Sequence, residues 1–314
     1  MSEKDESTPD QAPAEVAPGT MAGANAAGSA PVTHANQLRR DEFRKMMRKI
    51  SSWVWLLALS IVAGGFFGAM LGPAIGGAVF VVVFLIVLLV IFMIADSRAE
   101  DAFYNSYCES HGLTRIDNPS IGGLTPLLRK GDERETDEMF HGELAPGING
   151  DLVLFTYTEV SRDSDGDRQE TNYPFTLVHV EMPEIVAHLP ELRVQGKFGF
   201  KFLEGFEDKF RGDHERVTLE SEAMGDRYEI FVRKEQDPVW VRRLFSPSFI
   251  VWLTESPPKS FAFEVEDGHL IAFISKHMDD VEGLEEVTRV GTFVAERLLT
   301  EVAETSPRTD RETT

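Results

Sequence analysis

The sequence predicts a two-helix transmembrane hairpin followed by a soluble α+β domain, with a mainly antiparallel sheet and a C-terminal helix. Three observations predict it. Residues 51–94 contain no Asp, Glu, Lys or Arg and hold two apolar runs, 53–71 and 75–94. Between 150 and 275, runs rich in β-branched and aromatic residues surround Asp-Gly turn signals at 165–166 and 267–268. Near the C-terminus Leu284, Val287, Val290, Val294 and Leu298 recur at helical spacing.

Residues 1–37 are rich in Ala, Pro, Gly, Ser and Thr. They bury too little apolar surface to offset ordering entropy, so a disordered tail is expected. No apolar region sits where a secretory signal would carry one. Residues 38–50 read as a basic amphipathic juxtamembrane helix, because Phe43, Met46, Met47 and Ile50 share one helical face. Arg39, Arg40, Arg44, Lys45, Arg48 and Lys49 cover much of the rest. With Trp53 they are expected at the membrane interface, where cations meet anionic headgroups and an indole anchors the span. A plain basic flank is the alternative.

At 1.5 Å per residue the two apolar runs are about 28 and 30 Å long, matching a hydrocarbon core of about 30 Å. Gly72-Pro73 breaks the helix between them, so the link is short and the two helices must pair. Six bases precede the first run and none lies in the connection. The positive-inside rule then puts the N-terminus in the cytoplasm, and two spans return the chain to the same side. The expected location is the inner (plasma) membrane, multi-pass, with both termini cytoplasmic. Gly64 and Gly68 form a G-x-x-x-G pair, continued by Gly72 and Gly76. Close packing inside the hairpin is the first reading, and a homodimer between hairpins is the second.

Residues 95–150 are expected to continue the second helix to a stop at Gly112 and then run irregularly, with a charged loop from Arg129 to Glu138. The soluble domain is placed at 151–303. Strands are expected at 152–161, 170–181, 197–203, 216–221, 227–233, 261–265 and 269–274. Pro174 argues for an edge or a bulge in the second of these. Asp237-Pro238 and Ser246-Pro247 each pair an N-cap with Pro at the first helical position, opening helices near 238–244 and 247–255. A helix over 280–302 and a disordered tail at 304–314 complete the chain.

The net charge of −21 is unevenly spread. Residues 1–37 carry five acids against one base, and residues 38–50 carry six bases against two acids. These segments cancel, so the whole excess lies in residues 95–314. A domain that acidic is repelled by phosphate backbones, which argues against nucleic acid as a partner. Cys108 is the single cysteine, so no intramolecular disulfide is possible. No cofactor or nucleotide motif is present. Asp163, Asp165, Asp167 and Glu170 suggest a calcium loop, but Arg168 and Pro174 occupy the positions that need Gly and Glu. Cys108 and His111 make half a zinc site with no second cysteine to complete it. His141, His179, His188, His214, His269 and His277 show no ligand spacing, and His179 reads as a solvent-facing or satisfied strand histidine. Glu204, Glu207 and Asp208 are near-neighbour acids expected in so acidic a domain. Arg242 and Arg243 read as helix-surface bases pairing with nearby acids.

From residue 202 to 275 the order of features is a Phe-rich segment, a charged turn, a YEIFV strand, Asp-Pro and a short helix. A Ser-Pro-Ser-Phe helix start and an FAFEVEDGHLIAFIS hairpin follow. This order resembles a domain-of-unknown-function family of bacterial membrane proteins with two N-terminal spans. The resemblance extends over about residues 40–280. It implies a bacterial inner-membrane protein and brings no active-site residues with it. The expected function is therefore a non-enzymatic, membrane-tethered module whose acidic cytoplasmic domain binds a protein partner. The alternatives are a hydrolase-type enzyme with an unrecognised site and an accessory subunit of a membrane complex.

Overall fold

The computed structural model describes residues 50–162, 166–197 and 213–305, with backbone alone for 50–56, 91, 92, 94–96 and 99. The expected tail at 1–37, the basic segment through Lys49, and Phe198, Phe200 and Phe202 of one expected strand lie outside the described residues. So do Asp163, Asp165, Glu204, Glu207, Asp208 and the tail beyond Thr305.

The described residues begin with two helices, α1 (Ile50–Leu71) and α2 (Pro73–His111). Gly72 separates them at φ 101°, a backbone angle that glycine adopts without strain. Pro73 opens α2, where its missing N–H removes a donor that would have no partner anyway. α2 runs for 39 residues and stops at Gly112, whose left-handed backbone (φ 67°) turns its N–H onto the Cys108 carbonyl.

Among the described residues, nine strands form one sheet. They are β1 (Thr114–Arg115), β2 (Glu133–Ala145), β3 (Ile148–Arg162), β4 (Arg168–Glu181), β5 (Glu191–Gly196), β6 (His214–Val217), β7 (Tyr228–Arg233), β8 (Phe261–Glu266) and β9 (His269–Ile274). The order is β1-β2-β3-β4-β9-β8-β5-β7-β6, and every neighbouring pair is antiparallel. β3 and β4 pair on either side of the first Asp-Gly signal, and the second forms the turn of the β8–β9 hairpin. At the second, Asp267 and Gly268 have φ of 48° and 83°, as the tightest hairpin turns require.

The further α-helices among the described residues are α3 (Glu222–Arg227), α4 (Pro238–Leu244), α5 (Pro247–Glu255) and α6 (Val281–Thr305). Asp237 caps α4 by accepting the Val239 N–H at 2.9 Å. Ser246 makes no such bond to the backbone of α5, and its hydroxyl lies 3.2 Å from that of Ser248.

Strand alternation sorts the sheet into two faces. Leu152, Leu154, Val178, Val180, Leu270 and Ala272 face a large core covered by α4, α5, α6 and the end of α2. Leu284, Val287, Val290, Val294 and Leu298 of α6 are all fully buried there, the face that their spacing predicts. Each such burial stabilises by about 1.5–3 kcal/mol. Val153, Phe155, Tyr157, Phe175, Leu177 and Ile271 form a smaller core on the other face, covered by Ile121, Leu127 and Leu128.

Three expectations are corrected. The stretch 113–150 is not irregular, since it holds β1, a 3-10 turn (Leu127–Arg129) and the 13-residue β2. The boundary set at 151 falls inside a continuous sheet, because β2 pairs with β3 from Glu133↔Thr158 to Ala145↔Ile148. β4 is central, between β3 and β9, rather than an edge strand. Pro174 is tolerated because β9 pairs only with Thr176–Glu181, so one side of β4 is open at the proline.

Candidate functional site

Gly64 and Gly68 meet the start of α2. A Cβ added at Gly76 would lie 2.5 Å from the Gly68 Cα and 2.6 Å from the Gly64 carbonyl oxygen. One added at Gly64 would lie 2.8 Å from the Phe80 Cβ. Backbones this close need glycine, so α1 folds back on α2 through the stripe noted in the sequence. A Cβ added at Gly65 or Gly77 would meet open space, and both glycines border an open groove with Ile61 and Phe80. Trp53 lies in the first turn of α1.

Within α2, Pro73–Val90 is long and apolar enough to cross a membrane by length and composition, whereas the apolar segment of α1 among the described residues, Leu57–Leu71, is shorter. Val81, Val82, Leu85, Ile86, Leu89 and Met93 are exposed. Farther along the same helix the pattern reverses. Phe103, Tyr104, Tyr107 and Cys108 are buried in the main core of the sheet domain. Arg115 reinforces this junction, donating to Glu138 of β2 at 2.7 Å and to Asp101 of α2 at 3.0 Å. At the end of α2 the His111 Nε2 lies 3.1 Å from Glu285 of α6. Cys108 and His111 therefore serve packing and pairing, and burial pushes the Cys108 thiol up to about 11.

The second face of the sheet carries a row of polar groups that local sequence spacing does not reveal. His141, Asp151 and His179 are directly opposite one another on β2, β3 and β4. Asp151 is buried and accepts from His141 Nδ1 at 2.7 Å and from His179 Nδ1 at 2.8 Å. Burial alone would raise the Asp151 carboxyl, but the hydrogen bonds and charges of the two histidines outweigh it and hold the group below the usual carboxylate range. The row continues to β9, where His179 Nε2 lies 3.1 Å from His269 Nδ1. Glu181 stands two residues after His179 and opposite His269. One donor atom each from His179, Glu181 and His269 lies within 4.8 Å of the others, so these side chains can reach a common ion. His179 is thus the satisfied strand histidine, and it is buried.

Two more charged clusters share this face. Glu191 meets Arg193 at 3.0 Å, His214 at 2.8 Å and Arg233 at 3.2 Å. Glu264 is buried beneath the 3-10 turn and accepts the Leu127 N–H at 2.8 Å, and burial raises its carboxyl. Of the remaining sequence candidates, Glu170 pairs with Arg168 at 2.7 Å and His277 Nε2 lies 3.4 Å from Asp137. Arg243 pairs with the buried Glu301 at 2.9 Å, as the reading of a helix base paired with nearby acids anticipates.

No protein-family model matches the chain, and no curated protein matches it. Among solved structures, the crystal structure of the mycobacterial trehalose monomycolate transport factor A, TtfA, is similar over 65% of this chain and 96% of that chain. Identity is 13% and the TM-score is 0.34. A likeness of that size carries no argument about function.

Proposed function

We propose that the chain is a two-span inner-membrane anchor that holds an acidic, non-enzymatic domain on the cytoplasmic side, where it binds a protein partner. The observation that carries this reading is the continuity of α2. One 39-residue helix, about 58 Å long by its rise, runs from exposed apolar turns into the buried core of the sheet domain. Leu59, Ile61, Val62, Phe66, Met70 and Leu71 of α1 are exposed as well. Apolar surface of this extent is costly in water and neutral in lipid. The six bases from Arg39 to Lys49 orient the pair with the N-terminus inside. The order of features over 202–275 supports membership of the two-span family named above.

The groove beside Gly65 and Gly77 favours a second reading, in which the hairpin itself joins a membrane complex or a second copy of the chain. Affinity capture from membranes separates the two. The intact chain is compared with a hairpin truncated after Gly112. The first reading expects a reproducible partner captured only by the intact chain. Capture of the same partner by the hairpin alone transfers the function to the second reading, and capture of nothing by either contradicts both.

A further inference from the structure

We propose that His179, Glu181 and His269 form a binding site for one divalent transition-metal ion of the Zn²⁺ class. The site is independent of the membrane reading, because it is built entirely on β4 and β9. Its geometry is set by the sheet. His179 and Glu181 are two apart on β4 and so project from one face, and His269 is the direct cross-strand partner of Glu181.

Two imidazole nitrogens bound to one Zn²⁺ at about 2.0–2.1 Å in tetrahedral geometry stand about 3.3 Å apart. His179 Nε2 and His269 Nδ1 are 3.1 Å apart. The carboxylate of Asp151 supplies the second requirement. It accepts only, so His179 must carry its proton on Nδ1, which directs the Nε2 lone pair toward His269. A carboxylate behind a histidine ligand is the usual way a protein fixes ring orientation and raises ligand basicity. His141 on the other Asp151 oxygen holds that carboxylate in place. Glu266, also opposite His269, is engaged by Arg129 at 2.8 and 2.7 Å, which leaves Glu181 as the acid available to the ion.

Two nitrogens and one carboxylate select a borderline-soft metal over Ca²⁺ or Mg²⁺, whose sites are all oxygen. Glu181 is exposed and His179 is buried, so the ion enters from solvent. The fourth position is left to water.

The test uses the full chain in detergent micelles, stripped with chelator and titrated with Co²⁺ as a spectroscopic probe. The expected result is a visible ligand-field band that saturates at one Co²⁺ per chain, is displaced by Zn²⁺, and persists in excess Ca²⁺. His269→Ala should abolish the band. Glu181→Gln, at an exposed position, should weaken binding at least tenfold. Asp151→Asn should weaken it about 10–100-fold, the usual effect of losing such a supporting carboxylate. Far-UV circular dichroism shows which variants remain folded. Absence of a saturable band in the folded wild-type chain overturns the site. So does an unchanged titration in folded His269→Ala or Glu181→Gln, which would mean adventitious binding to other histidines.

Discussion

Glu191 carries the clearest consequence at the scale of single residues. Its carboxylate is buried among Arg193, His214 and Arg233. Burial favours the neutral acid, but these partners outweigh burial and lower the carboxyl below its ordinary range. A group whose folded pKa is depressed stabilises the fold fully above its unfolded pKa, and that stabilisation is lost as pH falls through the folded value. Denaturant melts of wild type and Glu191→Gln at a series of pH values test this. The variant should lose about 3 kcal/mol at neutral pH, because an amide at 191 cannot balance the charge of the buried Arg193 guanidinium as the carboxylate does. Its deficit should begin to shrink as pH falls below the ordinary glutamate value of about 4.3 and should vanish below the lower folded value, where the wild-type carboxylate is protonated as well. A deficit independent of pH would contradict the linkage. Neither this cluster nor the His141–Asp151–His179–His269 row is legible in the sequence. The partners in the row are 10, 28 and 90 residues apart and are brought together only by strand register. The one local trace is His179 and Glu181 at strand spacing.

At the scale of elements, legibility followed local chemistry. α4 and α5 have their expected bounds because Asp237-Pro238 and Ser246-Pro247 punctuate the chain. The β8–β9 hairpin followed from Asp267-Gly268. β2 was missed because its first six residues, Glu133–Glu138, are Glu-Arg-Glu-Thr-Asp-Glu, a composition depleted in strands. Pairing with β3 imposes the extended form, which is tertiary context overriding propensity. α3 is only six residues long, too short for periodicity to show, although Ser221 caps it by accepting the Met224 N–H. The hairpin makes the sharpest element-scale prediction. Gly76→Leu should separate α1 from α2, because its Cβ alone would meet the Gly68 backbone, whereas Gly65→Leu should leave the pair intact. Cross-linking of engineered cysteines at positions 61 and 80 reports the contact. Equal cross-linking in the two variants would contradict the packing.

For the whole molecule, the sequence made the division into apolar helices and an antiparallel sheet domain legible, but not where one ends. The reason is that α2 belongs to both. Its first turns are exposed and apolar, while Phe103, Tyr104, Tyr107 and Cys108 complete the core of the sheet domain. Those four fall on one helical face, a pattern short enough to pass as the tail of a span. Continuity of this helix makes topology decisive, because the domain must lie on whichever side α2 emerges. The measurement that tests this most directly places reporter fusions after Glu304 and within the turn at Gly72-Pro73. The anchored reading predicts a cytoplasmic C-terminus and a turn on the opposite face of the membrane. A C-terminus outside the cytoplasm, or a turn on the same side as the domain, would contradict it.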